Sequence, residues 1–528
     1  MTTHPGYTPM DTATRHEGEK AATAGDRGTR IALSLLLVIT VVVLYGPLAR
    51  YSFVQDDWRV IHRFVLGEPS RVIGEILSPA GKFFYRPLAG LYCYCVYSVF
   101  GLNPAGFHVL SLFLLAGSSL LVVAVARALS GDRVVAWGSG FLYAAAANVQ
   151  FEPQMWMVGS YDTGAVLFSL LSLLALLKGR FGLSALAMAG ALACKESAAP
   201  IVAVAAAWMF ILGDARSIPG KLKWHALVFA AFLAVKLAGV SPFSLPPTDP
   251  YAARLTGGHL LANGELYGTW AIQAVTPMKN VLFTEGEKRA AVLLALGLLA
   301  LVSLGAPLFS ARSGFRGGIA TRAGLCASAW AFLMIIPPLL LTGHIVTYYL
   351  APALPGLAIG TMLALASAAR VLFRNARVTL VLCAFLAALC AIDAFVMVER
   401  RMALGRSDGV HATNRDGDDH LVRKAIVAGE TRDRLLNLLP SLPAHTLLLM
   451  DGVQIGCFAG RYGLQTWYGD STLLLSEEVR GPDSAGNVSA TLPGDEGGGT
   501  TVVVVPVRTL VHVSVSGDSV SLVGRGPG

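Results

Sequence analysis

The chain of 528 residues is 54% hydrophobic and only 14% charged. Soluble domains carry about 25% charge and charge is costly in hydrocarbon, so the composition excludes a soluble enzyme with one anchor and implies a polytopic α-helical membrane protein. A formal net charge of +8 would point to nucleic acid in a soluble protein; here the basic residues collect in short loops between apolar runs, as the positive-inside bias requires, and no nucleic-acid partner is expected.

Residues 1–30 are polar and read as a cytoplasmic tail, with no apolar stretch that could form a cleavable signal ahead of the first span. A span needs about 20 apolar residues, or slightly fewer with snorkelling ends. Eleven runs qualify: 31–48, 107–126, 134–150, 162–177, 181–194, 198–213, 225–240, 291–310, 324–341, 345–368 and 378–397. The segment 88–101, short and rich in Tyr and Cys, reads as interfacial. With the N-terminus inside, the cytoplasmic loops hold Arg127 and Arg133; Lys178 and Arg180; Arg216, Lys221 and Lys223; Arg312, Arg316 and Arg322; and Arg370, Arg374 and Arg377. The short connections at 152–161 and 343–348 then lie outside and carry no Lys or Arg. Counting 88–101 as a twelfth span would invert this pattern.

The membrane domain therefore covers 31–397, with external loops at 49–87 and 241–290, the second opening on the Pro-rich stretch 241–250. From 398 to 528 the chain turns polar. Runs at 446–450, 501–507 and 510–513 read as strands and 421–439 as a helix, giving a small α+β domain that parity places outside the cytoplasm. Six of the seven cysteines lie in apolar runs, where they act as small hydrophobes. Cys457 stands alone in the tail, which leaves that domain no internal disulfide.

The chemistry-bearing residues gather in the external segments. Asp56-Asp57-Trp58-Arg59 follows the first span. Adjacent carboxylates at a membrane surface are expensive unless partnered. They suit a general base beside a second carboxylate that binds metal or orients an acceptor; a solvated loop end is the plain alternative. Adjacent side chains diverge by about 100° in a helix and face opposite ways in a strand, so two different roles are expected, with Asp57 favoured as the base. Trp58 and Arg59 suit a sugar and a phosphate. In Tyr85-Arg86-Pro87, Pro87 can start a helix, and Arg86 can hold a phosphate through paired hydrogen bonds or merely snorkel. Glu152 and Asp162 flank an outside turn that carries Trp156; Asp162 can equally cap the next helix. Lys195-Glu196 interrupts an apolar run at its outside end, where ionisable residues are functional candidates or structural partners of a neighbouring helix. His344 lies in the outside turn ahead of Tyr348 and Tyr349.

These motifs, in this order, make the chain resemble the C-type glycosyltransferase superfamily, and within it the transmembrane O-mannosyltransferase group that carries tetratricopeptide repeats. The resemblance runs over about residues 50–200. It rests on Asp56-Asp57, Tyr85–Leu88, Gly101–His108 (Gly-x-Asn-Pro-x-x-x-His), Glu152 with Trp156, and Lys195-Glu196. The stretch Gly159-Ser-Tyr-Asp162 is also similar to the second acidic loop of oligosaccharyltransferase catalytic subunits. Two features depart from the group: Gly159-Ser160 stands where an Arg often follows the Glu-Trp element, and the repeats are replaced by a different C-terminal domain.

What the resemblance implies is an inverting transfer of a sugar from a polyprenyl-phosphate donor to an extracytoplasmic glycan, lipid or protein acceptor; a sequence with neither secretory signal nor organelle address fits a bacterial inner membrane. Asp57, Asp56, Glu152 and Asp162 are the catalytic candidates. Arg86, Lys195, Glu196, Tyr85, Trp58 and His344 are the candidates for binding the donor. A divalent cation, Mg or Mn, can be held by Asp56 and Glu152. Membrane lipids are the remaining partners. A lipid-linked glycan flippase or other transporter is the main rival and would show inverted internal repeats, of which the sequence gives no sign; a glycan polymerase or ligase, or an inactive scaffold, are the others.

Overall fold

The computed structural model describes residues 12–79, 84–213, 218–237, 244–246, 248–280, 317–406, 420–451, 455–476, 478–480, 488–493, 500–505, 509–516 and 519–527. Six helices among them are long and apolar enough to cross a membrane: Arg27–Arg50, Pro104–Ser130, Met157–Leu177, Gly318–Leu339, Leu354–Phe373 and Ala376–Gly405. The first is apolar on all sides over residues 31–48. On α1 (Thr12–Tyr45), Leu37, Val41 and Tyr45 are buried while Leu35, Leu36 and Ile39 are exposed, the mark of a helix with lipid rather than water outside.

Six long spans correct the count of eleven. The run 134–150 is two helices, α6 (Arg133–Ala144) and α7 (Ala147–Met155). Twelve residues rise only about 18 Å, short of a hydrocarbon core of about 30 Å. The break is fixed from outside the segment: the Tyr45 hydroxyl donates to the Ala144 carbonyl at 2.9 Å, and Ala146 leaves the helical region at ψ 62. The runs 181–194 and 198–213 form short apolar helices, α9 (Phe181–Cys194) and α10 (Ile201–Leu212). The run 225–240 falls partly in α11 (Ile218–Leu237), which carries Lys221, Lys223 and Lys236, and residues 238–240 lie outside the described residues. The run 291–310 lies outside the described residues. The interfacial candidate 88–101 forms α4 (Pro87–Phe100), a short helix that buries Ala89, Cys93 and Val96.

Close helix crossings hold the bundle. A Cβ on Gly356, in the helix Leu354–Phe373, would stand 2.7 Å from the Ala327 carbonyl oxygen and the Ala331 nitrogen, so only glycine lets this helix meet Gly317–Leu339 so closely. Trp208 and Trp330 meet edge to face at 5.6 Å, and each spends its N–H on a carbonyl, of Cys326 and Pro352. At the end remote from the site described below, Arg370 pairs with Asp132, and Asp132 also caps α6 by accepting from Val134 and Val135 N–H.

The C-terminal part combines a helix, His420–Leu438, with strands β1 (Thr446–Asp451), β2 (Leu474–Ser476), β3 (Glu478–Arg480), β4 (Val488–Pro493), β5 (Thr500–Val505), β6 (Thr509–Ser516) and β7 (Ser519–Pro527), which form a four-stranded sheet of order β2-β1-β6-β7 and a three-stranded antiparallel sheet β3-β4-β5. Strand β1 (Thr446–Asp451) is central and pairs in parallel with β2 (Leu474–Ser476) and β6 (Thr509–Ser516). Its adjacent Leu447 and Leu448 are both buried, as a strand covered on both faces requires. A short helix, Arg461–Tyr468, joins this unit to the membrane domain: Trp467 meets Trp58 edge to face at 5.6 Å.

Candidate active site

The first external loop is built around Asp57. Helix α2 (Asp56–Leu66) begins with both aspartates in its first turn, where the helix dipole favours negative charge. Asp57 is buried. Its carboxylate accepts from the Val54 N–H at 3.2 Å and from the Met157 and Val158 N–H groups at 3.1 Å each. One side chain thus ties the first external loop to the turn after Trp156. Burial raises the Asp57 carboxyl to about 7, and the three N–H bonds, which favour the charged form, work against that rise. Trp58 is packed in the core with its indole N–H donated to the Phe53 carbonyl, so it offers no face to a ligand.

Asp56 points the other way. Its side chain is 58% exposed and stands 3.8 Å from Arg59. The residue before it, Gln55, holds φ +47 and ψ −115, a region costly for any side chain, and its N–H donates to the Cys457 carbonyl at 2.9 Å. The C-terminal domain therefore holds the turn that presents Asp56. Asp56 lines a cleft of about 330 Å³. Gln55 and Arg59 line the same wall, Trp156 and His344 stand behind it, and the turn Ile455–Tyr462 of the C-terminal domain contributes Gly460, Arg461 and Tyr462 as the roof. Two more residues pin roof to wall: His62 Nε2 lies 2.7 Å from Gln465 Oε1 and meets the Tyr462 ring at 5.0 Å. Burial lowers the pKa of both His62 and His344.

Beyond Trp156 and His344 lies a layer of tyrosines, and beyond it a group of ion pairs. Trp156 meets Tyr348 at 5.9 Å, and His344 stacks on Tyr251 at 4.8 Å and tilts against Tyr349 at 5.5 Å. Lys195 Nζ sits 5.1 and 5.3 Å from the Tyr348 and Tyr349 rings and donates to both Asp162 carboxylate oxygens, at 2.7 and 2.6 Å. Arg86 forks onto Glu196, with Nε 2.9 Å from Oε2 and a second bond from Nη2 to Oε1. Lys236 approaches the same carboxylate at 4.0 Å. The adjacent Lys195 and Glu196 thus serve different partners. Among the described residues the group counts three cations against two carboxylates. It sits at helix ends: Asp162 in the first turn of Ser160–Leu177, Lys195 at the end of α9, Arg86 just before α4. Tyr251 joins the two regions. Burial raises its phenol first, the Asp56 charge adds to the rise, and Arg86 opposes it.

The other candidates lie as follows. Glu152 pairs with Arg401 at 3.4 Å, and Arg401 covers the Phe151 ring; Glu152 and Asp162 thus engage separate cations. The Tyr85 hydroxyl donates to the Leu77 carbonyl at the surface. The Gly101–His108 element is architectural: Asn103 caps the helix Pro104–Ser130, and His108 lies between the Tyr51 and Gln154 carbonyls at 3.3 and 3.0 Å. Among the described residues no three His, Cys, Asp or Glu side chains gather as metal ligands. The sequence reading left out Arg461, Tyr462, Tyr251, Lys236 and Arg401 as site residues. None stands in a recognisable motif, and only the docking of distant segments brings them to the site.

No family model matches the chain. Over 106 residues it is 34% identical to protein O-mannosyl-transferase TMTC2 of Mus musculus and 33% identical to its Homo sapiens counterpart. That stretch is 20% of this chain and 13% of those proteins, so the chain spans only a small part of the curated relatives it matches. Among solved structures, ArnT from Cupriavidus metallidurans bound to undecaprenyl phosphate aligns over 84% of this chain and 86% of its own, with 13% identity and a TM-score of 0.48. The archaeal oligosaccharyltransferase AglB from Archaeoglobus fulgidus, in complex with an inhibitory peptide and a dolichol-phosphate, aligns over 86% of this chain and 65% of its own, with 12% identity and a TM-score of 0.45. At TM-scores below 0.5 these likenesses carry no inference about activity.

Proposed function

We propose that the chain is an inverting glycosyltransferase of a bacterial inner membrane. It moves a sugar from a polyprenyl-phosphate donor to a glycan, lipid or protein acceptor on the extracytoplasmic face. One observation carries this reading: an exposed carboxylate in an open cleft, Asp56, lies across a layer of aromatic side chains from a buried group of ion pairs at helix ends, Arg86, Lys195 and Lys236 with Asp162 and Glu196. Glycosyl transfer from a lipid phosphate needs this pairing. The short stretch similar to a protein O-mannosyl-transferase agrees with it. A transporter would more often place its paired charges near mid-depth with access from both sides.

The acceptor hydroxyl enters through the cleft, and Asp56 takes its proton as the oxygen attacks the anomeric carbon. Adjacent to it, Asp57 holds the turn rather than meeting the acceptor. The bond from the anomeric carbon to the phosphate oxygen breaks on the opposite face, which inverts the configuration. The departing polyprenyl phosphate keeps the bonding pair, and Arg86 and Lys195 stabilise its charge in a low-dielectric setting. Tyr348 and Tyr349 hold the sugar between the two and exclude water. The lipid tail reaches the phosphate site from the bilayer beside the short helices α4 and α9. The basic loops around Arg127–Arg133 and Arg370–Arg377 face the cytoplasm, and the cleft and C-terminal domain face away from it; labelling of introduced cysteines in intact cells should mark the C-terminal domain and spare the loop at 370–377, and the reverse pattern would sink the orientation. The activity itself is tested with purified protein and a panel of polyprenyl-phosphate sugars. Release of polyprenyl phosphate with one of them is expected, and no release with any, with or without candidate acceptors, would overturn the reading.

A further inference from the structure

The roof of the cleft belongs to the C-terminal domain, and its charge says what kind of acceptor enters. Among the described residues Asp56 is the one acid lining the cleft, while Arg59 of the first external loop and Arg461 of the C-terminal domain both line it. The two guanidinium groups flank the same ring: Arg59 Cζ stands 5.8 Å and Arg461 Cζ 5.4 Å from the Tyr462 centroid. His344 adds no charge near neutral pH, because burial lowers its pKa. Two guanidinium groups therefore share the cleft with one carboxylate, the group that must stay free to accept a proton.

Neutral saccharides do not require such a field. Sugar sites bind through aromatic faces and a few placed polar groups, and Trp156 supplies the aromatic face here. Arginine pairs in a cleft match a planar or tetrahedral oxyanion through paired, charge-assisted hydrogen bonds. A bound anion would also draw Arg59 away from its 3.8 Å approach to Asp56, leaving the carboxylate more basic just when an acceptor is present.

We propose that the cleft is the acceptor subsite and that the acceptor is an anionic saccharide. Its hydroxyl is presented to Asp56, its ring lies against Trp156, and a carboxylate or phosphate substituent is held between Arg59 and Arg461. The C-terminal domain is then the specificity element. This inference rests on the glycosyltransferase reading for the word acceptor, but the binding it describes needs no turnover.

The test is therefore an equilibrium one. Binding of methyl glucuronide, glucose 6-phosphate, methyl glucoside, inorganic phosphate and farnesyl phosphate to the full-length protein in nanodiscs is measured by calorimetry without a sugar donor. The two anionic sugars are expected to bind at least roughly tenfold more tightly than the neutral glucoside, since a hydrogen bond to a charged group is worth about that much. Arg461→Gln should weaken both anionic sugars by roughly ten- to a hundredfold, and Arg461→Lys should restore part of the loss. Trp156→Ala should weaken the anionic sugars but not inorganic phosphate. Which anionic sugar binds better tells carboxylate from phosphate, and either ranking supports the subsite. Equal binding of the neutral glucoside would overturn the proposal. So would an Arg461→Gln protein, folded by its unchanged melting temperature, that binds anionic sugars as wild type does. Weakened farnesyl phosphate in that variant would assign the cations to the donor instead and also overturn it. If anionic sugars bind as described but no lipid-linked sugar is ever turned over, the glycosyltransferase reading fails while the subsite stands.

Discussion

Breaking the Lys195–Asp162 pair should cost more than removing it entirely. The side chains are 8% and 3% exposed, and Nζ lies 2.6 and 2.7 Å from the two carboxylate oxygens. Lys195→Met leaves a carboxylate in a site without its cation, and Asp162→Leu leaves the ammonium among Tyr348, Tyr349 and the Arg86–Glu196 pair. Stranding one buried charge costs about 3–5 kcal/mol. For Lys195→Met, the lost approach to the two tyrosine rings adds roughly 0.5–2 kcal/mol. The double replacement strands nothing, and apolar substitutes for buried pairs are often neutral. It should therefore cost less than either single change, with a coupling free energy of about 3 kcal/mol or more. The assay is reversible unfolding in mixed micelles, run on wild type, both single variants and the double variant. Costs that add to within about 0.5 kcal/mol would show that the two groups do not rely on each other, and the buried charged site would have to be redrawn.

Docking of the C-terminal domain should weaken in acid. Burial depresses the His62 pKa below its ordinary 6.5, so the folded state binds fewer protons than the unfolded one and stability rises with pH through that window. The domain should thus resist proteolytic release above pH 6.5 and lose protection as pH falls below it, with His62→Gln flattening the slope; an unchanged slope would exclude His62 as the cause. At position 55 the positive φ stores roughly 1–3 kcal/mol, so Gln55→Gly should be more stable than Gln55→Ala, and equal stabilities would mean an unstrained turn. Full transfer after exhaustive chelation would remove a divalent cation at Asp56 and Glu152 from the mechanism. Loss of transfer that Mg or Mn restores would assign a metal to the site.

Much of the membrane domain was legible because long uninterrupted apolar runs have few alternatives: the helices at 31–48, 107–126, 162–177 and 378–397 all lie within long spans. Apolarity alone failed where a break is imposed from elsewhere. Residues 134–150 read as one run, yet the Tyr45 hydroxyl and the non-helical Ala146 divide it. In the C-terminal part, 421–439 and 446–450 matched a helix and a strand because turn residues bound both. The acidic pair was visible in the sequence, but which aspartate faces solvent was not. Adjacent residues are distinguished only by what packs above them, and here the N–H groups of Met157 and Val158, a hundred residues away, take Asp57. Arg461 and Tyr462 carried no signal, since a cleft formed by two docked segments has no periodicity in either one.

The most direct test is the initial rate of sugar transfer by Asp56→Asn at saturating lipid donor, compared with wild type at equal membrane abundance. The side chain is 58% exposed and its ionic contact with Arg59 is long, so the change removes a charge at a solvated position and should leave folding intact. Loss of a general base lowers rates by roughly 100- to 10,000-fold, and a fall of that size with donor binding retained is the expected result. Near-wild-type transfer by Asp56→Asn would contradict the assignment of Asp56 as the base and, with it, the catalytic role given to the cleft.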